Sequence, residues 1–206
     1  MIYLQNLNKQ FGPKKILKDV SFHLRPRERV GLIGENGTGK TTLFRIIMKT
    51  ESVDAGKIVF RKGAQAATLE QELNAYNGSV LERVISGDYS LQVIRKKMDD
   101  LEKKMSSEPT SEALTSNYGK LQYQFEQLNG YDREPKACAI LSGLGFTEEK
   151  IKKPLNEFSG GWRMRVEMAR LLLQNPDILL LDEPTNHFDL KSVEWLEGFL
   201  KKYDGS

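Results

Sequence analysis

The run Gly34-Glu35-Asn36-Gly37-Thr38-Gly39-Lys40-Thr41 has the spacing G-x-x-x-x-G-K-[ST] of a phosphate-binding loop. Glycines at 34, 37 and 39 let the backbone curl so that successive N–H groups point inward as an anion nest. A helix starting at Lys40 adds the positive end of its dipole, worth roughly half an elementary charge. Lys40 has the reach to meet the outer phosphates of a nucleoside triphosphate, and the Thr41 hydroxyl suits Mg²⁺. Far downstream, Asp182-Glu183 caps a short run, 177–181, that is apolar after its first residue, Asp177. There Asp182 fits a direct or indirect metal ligand, and Glu183 fits a group that polarises an attacking water. Consecutive strand residues point opposite ways, so the two carboxylates can serve one site only if the chain turns, and Pro184 supplies such a turn.

The elements around these residues must hold them. Val30, Leu32 and Ile33 read as a short buried strand entering the loop, and 42–48 as the helix leaving it. Residues 2–8 alternate, with Ile2, Leu4 and Leu7 facing inward, and read as a strand. Phe11-Gly12-Pro13 is a turn, and Ile16, Leu17, Val20, Phe22 and Leu24 continue a β-rich opening. Phe11 can stack on a flat ring or simply pack beside the turn. Segments 57–60 and 66–69 read as further strands, the second ending at Glu70-Gln71. Gln71, at a strand-to-helix junction, can sense Mg²⁺ or water, or be an ordinary surface glutamine. Ser79 with Glu82 forms a capping box. Ser159-Gly160-Gly161 precedes a helix at 163–174 and makes a second, weaker anion nest. The run 177–181, apolar throughout after Asp177, suits a central parallel strand. Asp189 caps a final helix at 190–203.

Between these parts lie two heptad seams. Leu91, Ile94, Met98, Leu101 and Met105 step alternately by three and four; so do Leu114, Tyr118, Leu121, Phe125 and Leu128. Pro109 and its polar neighbours break the pattern between them. The pair reads as an antiparallel helical hairpin with arms projecting roughly 25 Å, or as a helical subdomain packed on the core. From residue 88 to 134 there are seven Lys/Arg against nine Asp/Glu. A plain nucleic-acid prong is more basic than that. The whole chain of 206 residues carries a formal charge of +3 and one cysteine, Cys138. An internal disulfide is therefore excluded, and Cys138 sits in a helical, apolar pattern that suits a packed thiol. No run reaches the length of a membrane span, and no secretion signal opens the chain, so the cytoplasm is the expected compartment.

Taken together, GENGTGKTT, the Gln71 junction, FSGGW, ILLLDEP and TNHFD resemble the ATP-binding cassette ATPases over essentially all 206 residues. The wording SGGWRMR, the sequence DEPTNHFDL followed by EWLEGFL, and the helical insertion before the signature resemble the ABC-F branch. The alternative is the motor subunit of an ABC transporter. The resemblance implies an α/β fold: a P-loop ATPase core with a parallel sheet, a β-rich nucleotide subdomain, and a helical subdomain carrying the hairpin. It implies one cassette domain over 1–206, incomplete at its C-terminus, with an arm at about 89–130. It also implies an N-terminal cassette, because in that branch the arm lies in the first of two cassettes, and a longer protein, because the family's switch histidine does not follow Tyr203-Asp204-Gly205. ATP and Mg²⁺ are the implied cofactors. Phe11 would stack the adenine, and Gly34, Glu35, Asn36, Gly37, Thr38, Gly39, Lys40, Thr41 and Thr42 would hold the phosphates. Thr41, Gln71 and Asp182 would serve the metal, while Glu183, Lys40 and Gln71 would carry catalysis. Ser159, Gly160 and Gly161 form the signature, and His187 and Asp189 the loop that crosses to a second cassette. The implied partners are that second cassette and the ribosome. An isolated cassette of this kind is expected to hydrolyse ATP weakly.

Overall fold

The computed structural model describes residues 1–69, 76–87, 89–107, 111–186 and 188–206. It divides into two compact units, Met1–Gln71 with Asn175–Ser206, and Glu72–Gln174.

The first unit is built on two small sheets. Strand β1 (Ile2–Phe11) pairs antiparallel with β2 (Lys14–Leu24) and with β3 (Ala55–Phe60), giving the order β2-β1-β3. The alternation seen in the sequence holds: Ile2, Leu4 and Leu7 are buried on one face. The second sheet pairs β4 (Ala66–Thr68) with β5 (Ile178–Leu180), in parallel. Between the phosphate loop and β3 lies helix α1 (Lys40–Ile47). Its Ile46 and Ile47 join Ile2, Leu4, Leu7, Leu17, Leu24, Ile178 and Leu180 in one apolar core. One apolar core is thus shared by helix α1 and both sheets.

One expected element is absent. Residues 30–33 form no strand; Val30 and Leu32 are about half exposed, and Ile33 is fully exposed. An apolar, β-branched run is only a preference; a strand needs a ladder partner. The N–H of Ile178 faces Gln65, on the β4 side of β5, at 2.9 Å. On the opposite edge the N–H of Leu179 donates to the Ser206 carbonyl at 2.8 Å, and the N–H of Ser206 donates to Asp177 at 2.9 Å. Both edges of β5 are thus engaged at this level. The segment is held instead through Arg29, whose guanidinium donates to the carbonyls of Leu200, Tyr203 and Gly205. These lie at and just beyond the end of the last helix, α8 (Leu190–Lys201). A cation there satisfies carbonyls that a helix end leaves open.

The second unit is helical. Helix α2 (Val80–Ile85) begins with the expected capping box, Ser79 and Glu82 each bonding the other's backbone N–H. Helices α3 (Tyr89–Ser107) and α4 (Glu112–Gln127) pack along the heptad seams. Leu91, Met98 and Phe125 are buried there, with Ile94, Tyr118 and Leu121 packed against them. Leu128 departs from the expectation and is 43% exposed. Helix α4 stops at Gln127, so Leu128 is its cap residue, past the helical turns that pack in the seam, and the chain turns away at Asn129 (φ 53°). The Tyr118 hydroxyl donates to the Glu102 carboxylate at 2.7 Å, tying the two arms. That bond holds the phenol above its usual pKa. Helices α5 (Gly130–Gly143), α6 (Glu148–Lys152) and α7 (Gly160–Gln174) complete the unit. Val166, Met168 and Ala169 of α7 are fully buried. Among them the Glu167 carboxylate takes Arg83 Nε at 2.6 Å and Arg170 Nη1 at 2.9 Å. A buried carboxylate is tolerated because it is paired on both oxygens.

The seam yields a direct expectation. Met98→Ala should lower stability by about 2–4 kcal/mol in urea unfolding, from lost burial and the cavity left behind. Lys97→Ala, on an exposed face of the same helix, should change it by less than about 0.5 kcal/mol.

Candidate functional site

The phosphate loop curls as its glycines require. Gly37 and Gly39 are left-handed, at φ 80° and 103°. Gly39 caps α1, and its carbonyl accepts the N–H of Leu43 at 2.9 Å. A Cβ at Gly39 would lie 2.5 Å from Ile16 Cγ2 in β2, so glycine is demanded twice, by conformation and by space. Inside the curl the Lys40 ammonium donates to the carbonyls of Gly34 at 2.6 Å and Glu35 at 3.0 Å. Thr38 closes the turn, its hydroxyl donating to the Glu35 carbonyl at 2.8 Å. The loop backbone from Gly34 to Thr38 is exposed. The result is an exposed, glycine-bent loop with the Lys40 ammonium held on its carbonyls and the N-terminus of α1 behind it.

The second half of the site arrives from the far end of the chain. Asp182 follows the end of β5, and its Oδ2 accepts the Thr41 hydroxyl at 2.6 Å. A hydroxyl and a carboxylate at this separation suit a hard cation that takes its remaining ligands from water and phosphate oxygen. Among the described residues no group of three or more His, Cys, Asp or Glu gathers into a metal cluster. Glu183 adopts φ 45°, a left-handed conformation unusual outside glycine. The turn expected at Pro184 therefore begins one residue earlier, at Glu183 itself. Its Oε2 accepts Asn186 Nδ2 at 2.8 Å, which fixes the carboxylate's direction. Sequence reading missed Asn186, although its position three residues past Glu183 and beyond a proline suits a turn contact. An apolar hollow of about 470 Å³, lined by Leu24, Val30, Leu32 and Leu180, lies alongside, with Lys40, Asp182 and Glu183 on its lining too.

Phe11, at the end of β1, is 47% exposed and so can offer a ring face to a ligand. Asp189 caps α8 as expected, its Oδ1 accepting the Ser192 N–H at 2.9 Å. Gln71 and His187 lie outside the described residues. Ser159, Gly160 and Gly161 belong to the second unit and stand at the start of α7, where the Ser159 carbonyl accepts Arg163 N–H at 3.0 Å. The helix begins three residues sooner than the sequence suggested, with both glycines inside its first turn. Trp162 anchors that turn: Lys150 Nζ lies 4.1 Å and Arg165 Cζ 4.7 Å from its ring centroid. Phe146 meets the ring edge-on at 4.8 Å. Cys138 is half-buried; burial raises its thiol pKa, which suits the packed role.

Comparison with known proteins fits this geometry. The family described as "ABC transporter" matches residues 17–186. The ABC transporter ATP-binding protein YfmR of Bacillus subtilis is 37% identical over 98% of this chain, which spans 32% of that protein. "ABC transporter F family member 2" of Arabidopsis thaliana is 37% identical over 98% of this chain and 31% of its own length. The chain thus spans about a third of the curated relatives it matches. Among solved structures, the cassette MJ0796, described as a dimer in a post-hydrolysis state bound to ADP and Pi, superposes with a TM-score of 0.65. It covers 99% of this chain and 83% of that one at 23% identity, a likeness of fold.

Gly39→Ala should cost about 1–3 kcal/mol of stability from backbone strain alone. It should also weaken binding of a fluorescent ATP analogue, because relief of the Ile16 contact shifts the loop. Urea unfolding and a binding titration on the same preparation check both effects.

Proposed function

This chain belongs to the ABC transporter family and is an ATP-binding cassette with F-family relatives; from that premise we propose that it binds Mg-ATP and hydrolyses it. The supporting observation is the 2.6 Å contact between Thr41 and Asp182, residues 141 positions apart, beside Lys40 at the centre of the loop. The loop N–H groups and the N-terminus of α1 bind the phosphates. Lys40 exchanges its loop carbonyls for phosphate oxygens, and Thr41 and Asp182 would hold Mg²⁺, which when bound would supply charge neutralisation on those oxygens. Glu183, directed by Asn186, accepts the proton of the attacking water. Phe11 stacks the base. In this reading the phosphates are closed over by the Ser159-Gly160-Gly161 segment of a second cassette, so a lone cassette turns ATP over slowly. One such missing charge-stabilising group is worth about 10³–10⁵ in rate.

Two substitutions test this. Lys40→Ala should abolish binding of a fluorescent ATP analogue. Glu183→Gln keeps size and hydrogen bonding but removes the base, so binding should persist while phosphate release falls by about 10²-fold or more. A parental rate of release from Glu183→Gln would remove Glu183 from the mechanism.

The F-family likeness further supports a translation factor working on the ribosome in the cytoplasm. Among the described residues no helix is long and apolar enough to cross a membrane. The α3–α4 hairpin is the proposed contact, since its two arms satisfy each other along one seam and leave their charged faces outward. With charge nearly balanced along it, shaped RNA or protein suits it better than phosphate attraction alone. Replacing residues 90–129 by a short Gly-Ser link in the Glu183→Gln background should spare nucleotide affinity. It should reduce co-sedimentation with ribosomes by about tenfold, and unchanged co-sedimentation would remove the hairpin from the ribosome contact.

A further inference from the structure

Lys9 is a buried cation that the mechanism above does not use. It lies on β1, two residues before Phe11, and its side chain is only 7% exposed. Its ammonium donates to Glu51 Oε1 at 2.6 Å and lies 3.7 Å from Asp54 Oδ1. The same nitrogen stands 4.9 Å from the centroid of the Phe11 ring, over one face. Lysine is among the residues least often buried, and it is buried here against two carboxylates and an aromatic face.

One of the carboxylates belongs to a segment tied to α1, and the other is tied to β1. The N–H groups of Thr50 and Glu51 both donate to the Arg45 carbonyl, at 2.9 and 3.2 Å, so Glu51 closes the last turn of α1. Asp54 grips β1 directly: its Oδ2 accepts the Gln10 N–H at 2.7 Å, and its own N–H donates to the Asn8 carbonyl at 3.0 Å. Helix α1 in turn starts at Lys40, the residue at the centre of the loop. One continuous chain of contacts therefore runs from the Phe11 ring through Lys9 and Glu51 to the helix that carries the phosphate lysine.

We propose that Lys9 is a positioning residue for the base of the nucleotide, bracing the Phe11 ring against α1 through Glu51. It does two things. It occupies one face of the ring, so a purine can stack only on the other. It also draws π density toward itself, leaving the open face less negative and a better partner for an electron-rich base than for a cation. The distance between base platform and phosphate loop is then set by an ion pair rather than by a mobile ring at a strand end. This proposal rests on reading Phe11 as the base platform, and the test separates the two.

The experiment compares Lys9→Met, Lys9→Arg, Glu51→Gln, Phe11→Ala and the Lys9→Met/Phe11→Ala double variant in the full chain. Two probes are titrated with each: Mg-ATP, and inorganic tripolyphosphate, which has no base to stack. Lys9→Met should weaken ATP about three- to tenfold and leave tripolyphosphate unchanged. Lys9→Arg keeps a cation over the ring and should recover most of the loss. The double variant should bind ATP no more weakly than Phe11→Ala alone, because Lys9 acts through that ring. If Lys9→Met does not fold, Glu51→Gln carries the same test by loosening the brace. Equal weakening of both probes would show that Lys9 merely stabilises α1, and would overturn the proposal. Full ATP affinity in Lys9→Met (or in Glu51→Gln, if that variant stands in) with weakened affinity in Phe11→Ala would overturn the brace and keep the platform. Full affinity in Phe11→Ala would overturn both.

Discussion

The contact between the Thr41 hydroxyl and the Asp182 carboxylate is the constraint on which the site depends. It joins the start of α1 to the end of β5, and nothing nearby in sequence could place either group for the other. The bond does not hold the unit together by itself. Apolar burial does that, with Ile46 and Ile47 of α1 packed in the same core as Ile178 and Leu180 of β5. What the bond reports is register. A slip of β5 by one residue against β4 would exchange its buried and outward sets and aim Asp182 away from the loop. The short apolar strand and the acidic pair after it therefore work as one device: burial fixes the strand, and the strand fixes the carboxylate.

The two units solve different problems with different forces. In the first, antiparallel and parallel ladders set positions to within a hydrogen bond, which suits a loop that must present N–H groups to an anion. In the second, helices meet along seams and around Glu167, whose carboxylate is held by two arginines. Removing one partner of such a buried pair costs about 3–5 kcal/mol, because a charge is stranded, while the intact pair adds little net stability. Its value lies in specifying one arrangement of α2 against α7. Trp162 plays a comparable part at the start of α7, with cations at both Lys150 and Arg165 near its ring.

Charge is used sparingly and locally. The overall balance of +3 is small, and the hairpin is near neutral. The charges that matter are placed one at a time: Lys40 in the loop, Arg29 on the carbonyls at the end of α8, Lys9 beneath Phe11. Each sits where backbone or ring geometry leaves a negative surface needing a cation.

What could be read from the residues alone was whatever their local chemistry dictates. Gly39 must be glycine because its φ is 103° at a helix cap, and the loop pattern announces that position. The Ser79–Glu82 box, the Asp189 cap and the two heptad seams were legible because their spacing spans one or two helical turns. The apolar run ending in Asp182-Glu183 was legible because central parallel strands read as near-continuous apolar runs. Tertiary structure alone decided the rest. Val30, Leu32 and Ile33 look like a strand, yet a ladder needs a free edge, and Ser206 already pairs with β5 opposite β4. The left-handed conformation of Glu183 arises where the chain leaves a sheet, and propensity gives no sign of it; Pro184 announces a turn but not that Asn186 would bond Glu183 across it. Lys9 looks like any surface lysine in an alternating strand. Only the approach of Glu51, 42 residues away, makes its burial affordable and turns it toward Phe11. Short-range bonds are written in spacing, whereas ladders, ion pairs and buried charges depend on partners that folding brings from elsewhere.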